Sequence, residues 1–166
     1  METDMVVRRA SAADAAELGG LIAAFRVALA GLRGKDVSPD LAAAAKEMEG
    51  YRRRQFPIFV AEADSGLAGY LVCRVDDKTL WAESLFVLPE HRRKGVGSAL
   101  YAEAERLAAE LGSETVYNWV DPDNDAVIAF LAKRGYDVLN LIELRRARRG
   151  EEPGGQVQVG RYVFRH

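Results

Sequence analysis

The residues whose spacing carries the most chemistry are Arg92-Arg93-Lys94-Gly95-Val96-Gly97, set between a strand-like run that ends near Val87 and a helix-like run that begins at Gly97. Glycines at such a junction let the backbone bend until several N–H groups point into one concavity, which makes a cradle for an anion. The following helix adds unpaired first-turn donors and the positive end of its dipole, so a diphosphate is the ligand such a terminus holds. A P-loop fits poorly, because Lys94 precedes Gly95 where GxxxxGK[ST] needs a Gly-Lys pair. A dinucleotide fingerprint also fits poorly, because Leu100 stands where its third glycine belongs. Read alone, the same residues also suit a plain strand-to-helix turn with a solvated basic rim. No His or Cys cluster has ligand spacing, so no metal is expected, and His91 reads as a bystander in the turn.

The elements that must position this turn follow from periodicity and punctuation. Met5 to Arg9 reads as a strand, and Ser11 to Asp14 supplies caps before the apolar set Ala15, Leu18, Leu21, Ile22, Phe25 and Leu29. Gly31 and Gly34 end that helix, and Ser38-Pro39 opens another, with Ser38 as cap, to about Arg54. Ile58 to Ala63 and Leu67 to Val75 form a hairpin about Asp64-Ser65-Gly66, and Thr79 to Leu88 is the next strand, stopped by Pro89. Gly97 to Leu111 is an amphipathic helix closed by Gly112. Thr115 to Val120 is a short strand, Asp123 or Asn124 caps a helix to about Arg134, and the strands Tyr136 to Leu144 and Gln156 to Phe164 complete the chain. The order β-α-α-β-β-β-α-β-α-β-β gives an α/β fold with a mixed sheet, in one domain over residues 1–166.

Composition sets the outer bounds. A chain of 166 residues that is 49% hydrophobic can bury one ordinary core. With 23 basic against 25 acidic residues, the net charge of −2 argues against a partner, such as nucleic acid, bound by neutralising phosphates. Cys73, the single cysteine, sits in an apolar run and reads as a buried structural thiol in a reducing compartment. Met1 to Asp4 lacks the basic start of a signal peptide, and no stretch reads as a membrane span, so a cytoplasmic protein without membrane contact is expected. The runs Arg52 to Arg54, Arg145-Arg146 and Arg148-Arg149 read as solvated faces, although they also suit an acidic acceptor or a ribose phosphate.

Nearly the whole chain resembles the GNAT N-acetyltransferase superfamily, through the opening VVRRASAADAAEL, the strand and turn ESLFVLPEHRRKGVGSAL, the helix entry DNDAVIAFLAKRGY and the order of elements. The resemblance implies an acetyl-CoA-dependent enzyme in which Arg93, Lys94, Gly95, Gly97 and Ser98 hold the coenzyme pyrophosphate and Arg92 takes the first position of the motif. It further implies that the backbone of Leu85, Phe86 and Val87 lies along the pantetheine arm. Asn124, as an alternative or in addition to capping a helix, and Phe130 would line the same region. The implied reaction is direct attack of an amine on the thioester, with a backbone N–H near Val87 facing the oxyanion.

An alkylammonium must first lose its proton, and Glu83 is the candidate general base, with an ordinary solvent-facing or arginine-paired glutamate as the competing reading. Leu131 stands where relatives often carry a proton-donating tyrosine; Tyr117 or Tyr136 could take that part. Trp119 and Asp121 are candidate acceptor-site residues. The implied acceptor is a small-molecule amine or an amino group of a peptide or protein, and the implied assembly is a homodimer through the last strands. The competing functions are a non-catalytic acyl-CoA sensor, in keeping with the missing tyrosine, and a nucleotide-binding regulator.

Overall fold

The computed structural model describes residues 5–166; the Met1 to Asp4 start read above lies outside the described residues. These residues fall into two compact units, one ending at Trp119 and the other running from Val120 to His166. The first unit contains β1 (Val6–Arg9), α1 (Ala15–Leu32), α2 (Leu41–Arg53), β2 (Ile58–Ala63), β3 (Gly66–Asp76), β4 (Thr79–Val87), α3 (Val96–Glu110) and β5 (Val116–Asn118). The strands form one sheet in sequence order, antiparallel from β1 to β4, with β5 added parallel to β4. The expected mixed sheet is therefore present.

Strand alternation divides the side chains between two layers. Val60, Tyr70, Val72 and Phe86 join Leu18, Leu21 and Ile22 of α1 and Ala44 and Tyr51 of α2 in one cluster. Phe59, Leu71 and Cys73, on the opposite parity, are also fully buried, as are Leu100, Tyr101 and Ala104 of α3. Helices thus cover both faces. The helical run Ala12–Leu32, which contains α1, is long and apolar enough to cross a membrane by length and composition, which corrects the expectation that no stretch is. Its alanines and leucines suffice for that test, but its Leu18, Leu21 and Ile22 face belongs to the core.

Glu47 of α2 accepts hydrogen bonds from both Arg26 of α1 and the Tyr51 hydroxyl, which ties the two helices together. The cap of α2 is Asp40, whose carboxylate accepts the Ala43 N–H at 2.8 Å, and Pro39 lies before the helix. Ser38 is therefore not the cap, because a carboxylate nearer the first turn reaches the donor instead.

The second unit has α4 (Asp125–Lys133), β6 (Gln156–Val159) and β7 (Tyr162–Arg165). Asn124 caps α4 by accepting the Val127 N–H at 3.3 Å. The predicted final strand is instead the hairpin β6–β7, because Gly160 adopts φ 59° and turns the chain before Arg161. The strand predicted over Tyr136 to Leu144 is absent. That segment pairs with no described strand, and Val138, Leu139 and Leu141 stand exposed. Apolar β-formers make a strand only where a ladder partner is provided. The order of elements agrees with expectation, but its last two members are different residues.

Arg8 of β1 makes a bidentate pair with Asp14 at 2.8 and 2.9 Å and also reaches Glu62 of β2 at 2.7 Å. Asp14 is buried and additionally accepts from the Ser11 backbone and hydroxyl. The Arg8 guanidinium is the main cause holding the Asp14 carboxyl far below the usual carboxylate range. A depressed folded pKa stabilises above the unfolded value and loses that contribution as pH falls through the folded value. Asp14→Asn is expected to cost about 1–3 kcal/mol at pH 7 by replacing the buried carboxylate with a neutral amide that pairs poorly with Arg8 and the Ser11 donors. Urea denaturation between pH 7 and pH 2 should show the gap between the two proteins closing as the pH drops.

Candidate active site

The site grows from the way β4 leaves its neighbour. β5 pairs only with Leu80, Trp81 and Ala82, through Val116, Tyr117 and Asn118. From Glu83 to Val87 the outer edge of β4 has no strand partner among the described residues, while its inner edge stays paired to β3 as far as Gly69. Gly69 permits that close approach, since a Cβ there would stand 2.6 Å from the Phe86 carbonyl oxygen. Leu88 donates inward to the Ala68 carbonyl at 2.9 Å. Because successive residues of a strand point their N–H groups to opposite edges, the Val87 N–H is directed to the open edge. The Val87 carbonyl accepts Arg92 Nε at 2.9 Å, so Arg92 closes the end of the strand onto the turn.

The turn itself has the expected form. After Pro89–His91, Arg93 adopts φ 60° and Gly95 adopts φ 82° as the N-cap of α3. A left-handed non-glycine residue stores strain, and such strain gathers where a backbone must present itself to a ligand. No side chain caps α3, and a Cβ built on Gly95 would meet no atom within 4 Å, so the space beside Gly95 is open. Arg93, Lys94, Gly95 and Ser98 are exposed and Gly97 is half-buried, in keeping with a rim around that space. These features fit a diphosphate held by backbone N–H groups.

Of the other predicted positions, Leu85 and Val87 are half-buried and Phe86 is buried against Phe25 and Tyr70. Asn124 and Phe130 belong to the second unit, Asn124 at the head of α4 and Phe130 within it. Leu131 is buried. Tyr117 packs on Trp81 with ring centroids 5.1 Å apart.

Glu83 occupies a special backbone position. The β3–β4 register passes from Val72↔Ser84 to Cys73↔Ala82, which leaves Glu83 as the extra residue of a bulge. Its carboxylate forms an ion pair with Arg74 of β3, Oε2 to Nε 3.3 Å, with both side chains about three-quarters buried. The arginine-paired reading of Glu83 thus describes this conformation. Arg74 in turn lies 4.9 Å from the Trp81 ring and 4.8 Å from the Trp119 ring. Sequence reading did not single out Arg74. The available signal was a lone cation inside the apolar run Leu67 to Val75.

Residues 29–136 match the Acetyltransferase (GNAT) family, a span that includes β4, the turn and α3. The chain belongs to this family. Among GNAT relatives, mycothiol acetyltransferase of Parafrankia sp. (strain EAN1pec) is 32% identical over 106 residues, 63% of this chain and 32% of that protein. An uncharacterized N-acetyltransferase of Methanocaldococcus jannaschii is 28% identical over 99 residues, 55% of this chain and 44% of its own length. The chain thus spans less than half of either relative. The aminoglycoside N-acetyltransferase AAC(6')-Iy in complex with CoA superposes with a TM-score of 0.68 at 18% identity, covering 89% of this chain and 97% of that one. At that identity the likeness concerns the fold. Among the described residues no group of His, Cys, Asp and Glu is arranged to hold a metal ion.

Cys73 is fully buried, and burial pushes its thiol up to about 12. The thiolate is the reactive form, so the native protein should resist an aromatic disulfide reagent at pH 8, and one thiol should react promptly in denaturant. Prompt reaction in buffer alone would overturn the assignment of Cys73 as a core residue.

Proposed function

We propose that this GNAT protein is an N-acetyltransferase that moves an acetyl group from acetyl-CoA directly to an amine in a ternary complex. The observation that carries this reading is the open edge of β4 over Glu83 to Val87, running into the left-handed Gly95 and the uncapped start of α3. A free strand edge suits an extended amide-bearing arm, and a helix N-terminus reached through glycine suits a diphosphate. Both occur here on one continuous stretch of chain, in the order in which the coenzyme carries those groups.

In this proposal the backbone of Leu85, Phe86 and Val87 receives the pantetheine arm, and Arg93, Lys94, Gly95, Gly97 and Ser98 receive the pyrophosphate. Arg92 acts one step removed, since its Nε is bonded to the Val87 carbonyl. Asn124 and Phe130 are assigned to the coenzyme by family resemblance. Bound acetyl-CoA supplies the activated carbonyl. The Val87 N–H is the donor available to the oxygen as negative charge develops there, a contribution that grows in the transition state. Glu83, directly or through water, takes the proton that the ammonium must lose. Its pairing with Arg74 holds the carboxylate in place, and proton transfer then requires the amine to compete with Arg74 for it. Leu131 offers no proton, so the coenzyme sulfur leaves as a thiolate, which a thiol of pKa near ~8.5 can do.

The acceptor in this reading is a small-molecule amine or a peptide amino group, and the setting is the cytoplasm, where a lone buried thiol is at home. A homodimer through the last hairpin belongs to the same reading, supported by the exposed Val157, Tyr162 and Val163. Sedimentation at micromolar concentration reads the dimer directly, and a monomer would remove it.

Thiol release from acetyl-CoA over a panel of amines tests the activity. Acceptor-dependent release is expected, abolished in Gly97→Trp, whose indole would fill the cradle. In Glu83→Gln it should fall about 10²–10⁴-fold, the range of general base catalysis, at pH 7, and less above pH 9 as free amine accumulates. Circular dichroism checks that each variant folds. Tight acetyl-CoA binding without stimulation by any amine would favour the non-catalytic sensor instead.

A further inference from the structure

We propose that the acceptor is an amine bearing a carboxylate, an α-amino acid or a compound built like one, and that Arg74 binds the carboxylate. The inference rests on the transferase reading for the use made of the site, but the geometry stands apart from it. Arg74 is nested in the angle between Trp81 and Trp119, whose own ring centroids are 4.9 Å apart at 51°. Two indoles fix the guanidinium and remove part of its water. Its Nε is buried and approaches Glu83 at 3.3 Å, yet that contact lacks hydrogen-bond alignment. Among the described residues the other guanidinium nitrogens have no protein acceptor, and the side chain retains 23% of its surface for a ligand.

A fixed, partly dehydrated guanidinium with vacant in-plane donors is a receptor for a planar oxyanion, which it binds through two parallel N–H bonds. Arg74 and Glu83 are opposite charges a short distance apart, and an α-amino acid carries its ammonium and carboxylate on a single carbon. The carboxylate can take Arg74 while the ammonium takes Glu83, so each ion of the pair exchanges one partner for another and net charge is conserved. That exchange brings the amine to the proposed base, on the strand whose open edge leads to the cradle. A polycation fits worse, since a second positive group near Glu83 faces Arg74 at close range. Trp119, 66% exposed, supplies an apolar wall for the acceptor side chain.

The chain has two tryptophans, both at this site, so intrinsic fluorescence reports on it. The full chain, saturated with CoA, is titrated with each proteinogenic amino acid and with the corresponding carboxamide. At least one amino acid should give a saturable change with affinity about tenfold or more above its amide, as charge-assisted bonds to a carboxylate imply. Arg74→Gln should abolish that preference, and Arg74→Lys should restore part of it. The proposal is overturned by an absence of any saturable change, by amides that bind as well as the acids, or by a preference that survives in Arg74→Gln. The comparison of acid with amide in the unaltered protein decides the matter even if Arg74→Gln fails to fold. Calorimetry with CoA alone separates the two readings. CoA binding without an amino-acid preference sinks only this inference, and the preference without CoA binding sinks the transferase.

Discussion

Backbone polar groups that leave water must find partners, and most of this structure can be read from the one place where a strand does not provide them. β5 follows β4 for three residues and then parts from it, so the outer edge from Glu83 to Val87 presents donors and acceptors without a ladder. Everything around that edge either tolerates the vacancy or makes use of it. Arg92 takes the Val87 carbonyl, Leu88 turns inward to Ala68, and the Val87 N–H is left over. The glycine turn then delivers a second set of unpaired donors at the head of α3 a few residues later.

How much of this was legible in the sequence depends on whether the governing interaction is local. The RxxGxG turn, the α3 helix and its Gly112 terminus are fixed by neighbouring residues, and they appear where the pattern put them; Gly112 has φ 79° and Gly95 φ 82°. The β2–β3 hairpin is equally local. The cap of α2 moved by two residues because two good capping types stand close together, and sequence alone does not say which reaches the donor. Tyr136 to Leu144 failed for a different reason: its composition is that of a strand, but strand formation is decided by a partner that the segment's own sequence does not contain. The candidate site divides along the same line. The cradle was visible from adjacent letters, while the Arg74–Glu83 pair joins separate strands across a bulge and required the register to be known.

Electrostatics in the two parts of the site run in opposite senses. At the cradle, charge is supplied mainly by backbone dipoles and by exposed side chains that salt screens readily. At Arg74 and Glu83 the charges are half-sequestered and flanked by indoles, so they act over shorter distances and with more geometric discrimination. In the function and acceptor site proposed above, the basic stretch that looks most like a binding motif contributes grip, and the cation hidden in an apolar strand contributes choice.

The bulge at Glu83 bears on what changes this protein could tolerate over evolutionary time. Below it Leu80 lies outside the cluster that contains α1, whereas above it Phe86 lies inside that cluster, although both have even numbers and a regular strand would put them on the same face. One supernumerary residue thus lets a single strand address both layers in turn. Substitutions along β4 adjust contacts one at a time. Loss of a single codon there would instead exchange the two layers for every residue on one side of it, so the length of β4 is held by the packing of the whole strand, whereas each of its letters is held only by its own contacts.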